Sequence, residues 1–151
     1  KFKYYVISDG EDSERLKKKT IKLGINKNVI FCGKLSDKKR DTIYNRSHII
    51  SMPGSAKLHD RYPMRFVFLE AALFGLKILG SYPSIKKERK LTKKYKNLNF
   101  VNPQNKNKII KKIIELNKQK KIIDHKYLSD YSFDNFKFKL NNIVKEIVYT
   151  L

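Results

Sequence analysis

The sequence predicts an α/β protein: a parallel sheet with helices on both faces, followed by C-terminal helices. Two observations carry this. Short apolar, β-branched runs alternate strictly with helical patterns through residue 121. Most of these segments are closed by Gly, Pro, Asn or Asp, so each is punctuated before the next begins. Alternating strands and helices of this length imply right-handed crossovers and hence parallel strands. Ligands of such sheets bind beyond the carboxyl ends of the strands, where the connecting loops gather.

The elements follow in order. Lys3 to Ser8 (KYYVIS) reads as a buried strand ended by Asp9-Gly10. Glu11 to Leu23 reads as a helix capped by Asp12 or Ser13, with Leu16, Thr20 and Leu23 on one face and a stop at Gly24. Asn28 to Gly33 is the second strand, Ser36 caps a short helix through Tyr44, and His48 to Met52 is the third strand. A polar loop, Pro53 to Pro63, leads into a helix from Met64 to Phe74, stopped by Gly75, and Lys77 to Ser81 is the fourth strand. Pro83 to Tyr95 reads as a basic helix carrying Glu88, and Leu98 to Val101 as a strand before Asn102-Pro103. Asn105 to Lys121 places Ile109, Ile110, Ile113, Ile114 and Leu116 at helical spacing, and Ser132 caps a last helix, Phe133 to Val148. Neither a repeat nor a linker interrupts residues 1–151, so a single domain is expected. The chain opens at Lys1 directly before a strand and is expected to be a piece of a longer protein.

The helix from Met64 to Phe74 is apolar nearly all round except for Glu70, which predicts burial on every side. Its first turn would then present unpaired N–H groups and a partial positive charge to the long loop before it, an arrangement suited to phosphate. Tyr4, Tyr5 and the aromatic residues between Phe66 and Phe74 are expected in the core.

The formal charge of +21 raises nucleic acid as a partner. Arginine supplies only six of the 35 basic residues, and the 29 lysines are spread along the chain among Asn, Ile, Tyr and Phe. That is the composition of an AT-rich coding sequence, which accounts for most of the charge; a surface for anionic lipid or for nucleic acid would account for the rest. The single cysteine, Cys32, excludes an internal disulfide and a Cys-based zinc site, and is expected as a buried, inert thiol. His48, His59 and His125 share no metal-ligand spacing. No nucleophile elbow, Walker loop or Gly-x-Gly-x-x-Gly is present. No apolar run reaches the roughly 18 residues a membrane span needs, and no signal peptide is visible. A cytoplasmic protein is expected.

Three segments together resemble a known order: SDGEDSERL after the first strand, NVIFCGKLSDKKRDTIYNRSHIISMPGS through the middle, and FVFLEAALFGLKILGS beyond. They resemble the C-terminal, donor-binding domain of GT-B glycosyltransferases, specifically the large retaining family 4. YSFDNFKFKL resembles that family's final helix. The resemblance covers almost the whole chain. It implies a Rossmann-like half of a GT-B fold and a nucleotide-sugar donor, UDP- or GDP-linked, without a required metal. It also implies a hexose transferred to a glycan or lipid-linked acceptor that the missing N-terminal domain would hold, so this piece alone would be inactive. Peripheral contact with an anionic membrane at its inner face would fit the lysine excess.

On the same resemblance Glu70 would hold the ribose, and the base would lie near Lys34 and Leu35. The diphosphate would sit at the N-terminus of the helix carrying Glu70, near Met64, Phe66 and Arg65, with Gly10, Ser55 and Arg61 also in the site. The family's first Glu of a pair falls at Tyr62 here, eight residues before Glu70, and the loop lacks the family's two glycines. Either Asp60 supplies the carboxylate as the catalytic group, or the contact to the donor sugar differs. Two readings from other classes stand beside this one: a glycosyltransferase-like module without catalysis that serves in binding or assembly, and a basic Rossmann-like domain that binds nucleic acid.

Overall fold

The computed structural model describes residues 2–7, 9–52, 66–81, 90 and 93–150, and of residues 143, 144 and 146–150 the backbone only. The chain forms two compact units, residues 1–46 and 47–151.

In the first unit, β1 (Tyr4–Ile7) pairs in parallel with β2 (Val29–Gly33), from Tyr4 beside Val29 to Ile7 beside Gly33. The register slips by one residue between Val6 and Ile7, so Cys32 has no direct partner. Asn28 ties the start of the pair together: its carbonyl accepts from Tyr4 N at 2.8 Å and its side-chain Nδ2 donates to Phe2 O at 2.8 Å. Two helices, α1 (Ser13–Lys22) and α2 (Asp37–Arg46), complete the unit. Gly24 stops α1 as expected, at φ +65°, a conformation that a side chain disfavours. Asp12 occupies the N-cap position, but its carboxylate accepts from Arg15 Nε at 2.8 Å rather than from a first-turn N–H.

Two expectations are corrected here. Tyr4 is exposed rather than in the core, because it stands at the open end of the strand pair. Leu16, Ile21 and Leu23 are likewise exposed, and no residue of α1 is buried. Within α1 only Leu16 and Ile21 are apolar, too few to form a wide apolar stripe.

The second unit holds β3 (Ile49–Met52), β4 (Lys77–Ser81) and β5 (Leu98–Val101), a parallel sheet in the order β3-β4-β5. The helices α3 (Phe66–Leu73), α4 (Lys106–Asn117), α5 (His125–Asp130) and α6 (Phe133–Thr150) belong to the same unit. Strand periodicity sends alternate residues to opposite faces. Ile50, Met52, Ile78, Leu98 and Phe100 meet Phe68 and Ala72 of α3 and Tyr127 of α5. Ile49, Leu79 and Val101 meet Ile109 and Leu116 of α4 on the other face. The central strand β4 is buried along its whole length, which is why it reads as an apolar run. Each fully buried Leu or Ile here contributes about 1.5–3 kcal/mol. The α/β class, parallel pairing and helical cover are therefore as expected.

Gly80 admits this packing: a Cβ there would lie 3.1 Å from the Phe100 ring. The cap of α6 is as expected, and α4 has a side-chain cap of the same kind. Asn105 Oδ1 accepts from Lys108 N at 3.0 Å, and Ser132 Oγ accepts from Asn135 N at 3.3 Å. The helix expected through Lys121 ends at Asn117. Helix α5 lay outside the sequence expectations; Asp124 caps it by accepting from Tyr127 N at 3.2 Å. Of the helix expected over 83–95, Lys90, Lys93 and Lys94 are helical, Tyr95 is buried and not helical, and Glu88 lies outside the described residues.

Candidate functional site

The carboxyl ends of the strands define the candidate edge in each unit. In the first unit β1 and β2 end in register, at Ile7 and Gly33. The turn after β1 carries Gly10, whose carbonyl accepts from Ser13 N at 2.9 Å and so starts α1. Gly33 adopts φ +63° and turns the chain out of β2, which leaves Lys34 exposed and Leu35 half-buried at the same edge. Gly10 thus follows the carboxyl end of β1, and Lys34 and Leu35 follow that of β2. Behind them Cys32 is half-buried, and burial pushes its thiol up, in keeping with an inert group.

In the second unit the chain leaves β3 at Met52 and re-enters the described structure in α3. Ser55, Asp60, Arg61, Tyr62, Met64 and Arg65 lie outside the described residues, as does His59. Phe66 and Glu70 are described. The expectation that this helix is buried on every side is corrected: Phe68, Ala71 and Ala72 face the sheet, whereas Phe66 is 84% and Leu73 58% exposed. The cause is geometric, since an eight-residue helix against one face of the sheet can bury only one arc. Glu70 falls between Phe66 and Leu73 on the outward arc and is half-buried.

The loop after β5 adds a polar surface that sequence analysis read only as a turn. Asn102, Gln104, Asn105, Lys106 and Asn107 line a depression of about 470 Å³ at the carboxyl edge of the sheet. The run of amide side chains was the available signal.

The strongest electrostatic perturbations lie at the opposite, amino edge of the sheet and hold structure there. Lys77, 3% exposed, donates to Asn97 Oδ1 at 3.5 Å, and Asn97 Nδ2 donates to Ile122 O at 2.6 Å. Burial lowers the Lys77 amine and the Asp124 carboxylate opposes that shift. Asp130 accepts from Lys94 Nζ at 2.8 Å and from the Tyr95 hydroxyl at 2.9 Å, and these bonds, that of Lys94 foremost, hold its carboxyl below the usual range. Desolvation is the main cause that pushes Tyr95 up to about 12. Among the described residues no three His, Cys, Asp or Glu side chains are grouped to hold a metal ion, and no helix is long and apolar enough to cross a membrane.

Parallel strands flanked by helices, in each unit, define an α/β domain compatible with a Rossmann-like half of a GT-B fold. The family model for glycosyl transferases group 1 matches residues 1–133, and the chain belongs to that family. Glycosyl transfer from a nucleotide-sugar donor to an acceptor is accordingly the chemistry of its class. No curated protein and no solved structure is found to match the chain. The matched region ends where α6 begins.

Proposed function

We propose that this chain is the nucleotide-sugar donor-binding half of a retaining, family 4-like glycosyltransferase. It would serve transfer of a hexose from a UDP- or GDP-sugar to a glycan or lipid-linked acceptor in polysaccharide biosynthesis. The observation that carries the proposal is the position of Glu70, half-buried on the outward arc of a helix whose other arc is locked to the sheet. Such a carboxylate is rigidly held yet reachable, which suits acceptance of hydrogen bonds from both ribose hydroxyls.

The remaining contacts follow from the order of the chain. The base lies by Lys34 and Leu35 with Gly10 in the neighbouring turn, and the diphosphate at the N-terminal end of the Glu70 helix near Met64, Arg65 and Phe66. Arg61 and Ser55, which precede that helix in the sequence, would add contacts to the donor, and Asp60 with Tyr62 would meet the sugar. Donors aimed at the departing diphosphate stabilise the negative charge that develops as the glycosidic bond breaks. No step in this scheme requires a metal. The acceptor would be held by a preceding domain, at the cytoplasmic face of a membrane, and this piece alone would bind donor without turnover.

Tyr62, where the family places a Glu, favours one other reading: a module that keeps donor binding and serves assembly. Glu70→Ala in the complete protein separates the two. Loss of glycan synthesis supports the enzyme; unchanged synthesis supports the assembly module.

A further inference from the structure

Helix α4 is fixed to the sheet by one face and offers the other to solvent. Ile109 and Leu116 pack on Leu79 and Val101. On the outer side Ile110 is 56% and Ile114 54% exposed, with Ile113 beside them. Residues four apart lie one above another on a helix, so Lys106, Ile110, Ile114 and Lys118 form one ridge, a lysine at each end and two isoleucines between. The segment continues with exposed Ile122 and Ile123 between Lys120 and Lys126. Residues 106–126 hold eight lysines and two acidic residues, a net charge of +6. Neither acid offsets the outward field fully: Glu115 pairs with Lys112 at 2.7 Å, and Asp124 is buried, accepting from Lys96 N at 2.6 Å and from Tyr127 N.

Exposed isoleucines within a lysine field are costly in water and are not needed by a partner that offers phosphates alone. They suit a surface with anionic charge outside and hydrocarbon immediately beneath. We propose that the outward face of α4, with the segment through Ile123, docks on an anionic phospholipid bilayer, the isoleucines entering the headgroup boundary and the lysines meeting lipid phosphates. This deepens the membrane-face location in the proposed function and rests on it. Segment 106–126 contains no arginine, and duplex or single-stranded nucleic acid would gain nothing from the isoleucine ridge, so lipid is favoured over nucleic acid.

The test is co-sedimentation of the complete protein with vesicles of equal parts phosphatidylglycerol and phosphatidylcholine, and with phosphatidylcholine alone. Binding to the anionic vesicles is expected, with a loss of about fivefold for each lysine neutralised in Lys106→Gln/Lys111→Gln. A further loss of at least about fivefold is expected in Ile110→Ser/Ile114→Ser, whose charge is unchanged. Lys18→Gln/Lys22→Gln on α1 is the charge-matched control and should weaken binding far less. Failure to bind the anionic vesicles, an isoleucine variant that binds as the parent does, or a control as weak as the α4 lysine variant each overturns the proposal. Salt-sensitive binding to duplex DNA that the isoleucine change leaves intact, with no vesicle binding, assigns the charge to nucleic acid instead. Nucleotide titration of the parent protein keeps the two proposals apart: nucleotide bound without vesicle binding overturns the lipid surface alone, and vesicle binding without nucleotide bound overturns the donor site alone.

Discussion

Replacing Tyr127 with Phe should stabilise the protein, although Tyr127 is one of its most deeply buried side chains. Its ring is fully enclosed, edge-on to Tyr95 at 4.9 Å and to Tyr131 at 5.3 Å, and phenylalanine keeps both contacts. Among the described residues its hydroxyl has no hydrogen-bond partner. A buried, unsatisfied hydroxyl costs about 1–3 kcal/mol. Removing one oxygen atom forfeits a few contacts of about 0.1–0.2 kcal/mol each. The balance is a gain of about 1 kcal/mol, or about 3 °C in Tm for a chain of this size. Urea unfolding followed by far-ultraviolet circular dichroism measures it as a higher midpoint at unchanged slope. Tyr127→Ala, which removes the ring as well, should lose about 3–5 kcal/mol. A Phe variant less stable than the parent by 1 kcal/mol or more would refute the reasoning, because the hydroxyl would then be making a favourable bond.

Three further outcomes are expected. Gly75→Ala should cost about 1–3 kcal/mol in the same assay, because Gly75 sits at φ +69° and a Cβ would lie 3.3 Å from the Ile122 carbonyl carbon; an unchanged midpoint would contradict this. Asn97→Ala should destabilise by about 2–3 kcal/mol, since it strips the Ile122 carbonyl and the buried Lys77 amine of a partner at once. The buried tyrosines should make the fold sensitive to alkali: Tyr95 is raised from 10.0 to about 12, so the stability it contributes is complete below pH 10 and is lost as the pH rises toward 12. Tyr127 is shifted in the same direction, by its own burial. Tyrosinate absorbance followed against pH should therefore show a late step that coincides with loss of circular dichroism, and a single midpoint near 10 with the fold intact would contradict it.

The sheet of the second unit was legible in the sequence because its strands are short, apolar and closed by Gly or Asn-Pro. Leu98–Val101 is observed with the boundaries expected, and β3 differs from the expectation by one residue. The cap at Ser132 was legible for the same local reason. Burial was read less well, since it depends on partners that one segment does not name. The helix around Phe68 reads as apolar all round, yet it meets the sheet on one arc and leaves Phe66 and Leu73 outside. Helix α5 escaped notice because its first turn, HKYL, has no apolar period; Asp124 caps it, and Tyr127 with half-buried Leu128 anchors it to the core. Of the candidate site, the turn at Gly33 and the helix with Glu70 could be placed from punctuation alone. The positions of Lys34 and Glu70 relative to a ligand could not, because they depend on loops whose shape residue type does not dictate.

Calorimetric titration of the protein with UDP, GDP and ADP, repeated with Glu70→Ala for the best ligand, tests the central claim most directly. Charge-assisted hydrogen bonds from a ribose to the carboxylate contribute about 1.5–3 kcal/mol, so binding of one nucleotide should weaken about 10- to 100-fold in the variant. A nucleotide bound equally well by parent and variant would contradict the placement of the ribose at Glu70, and no binding to the complete protein would contradict the donor site itself.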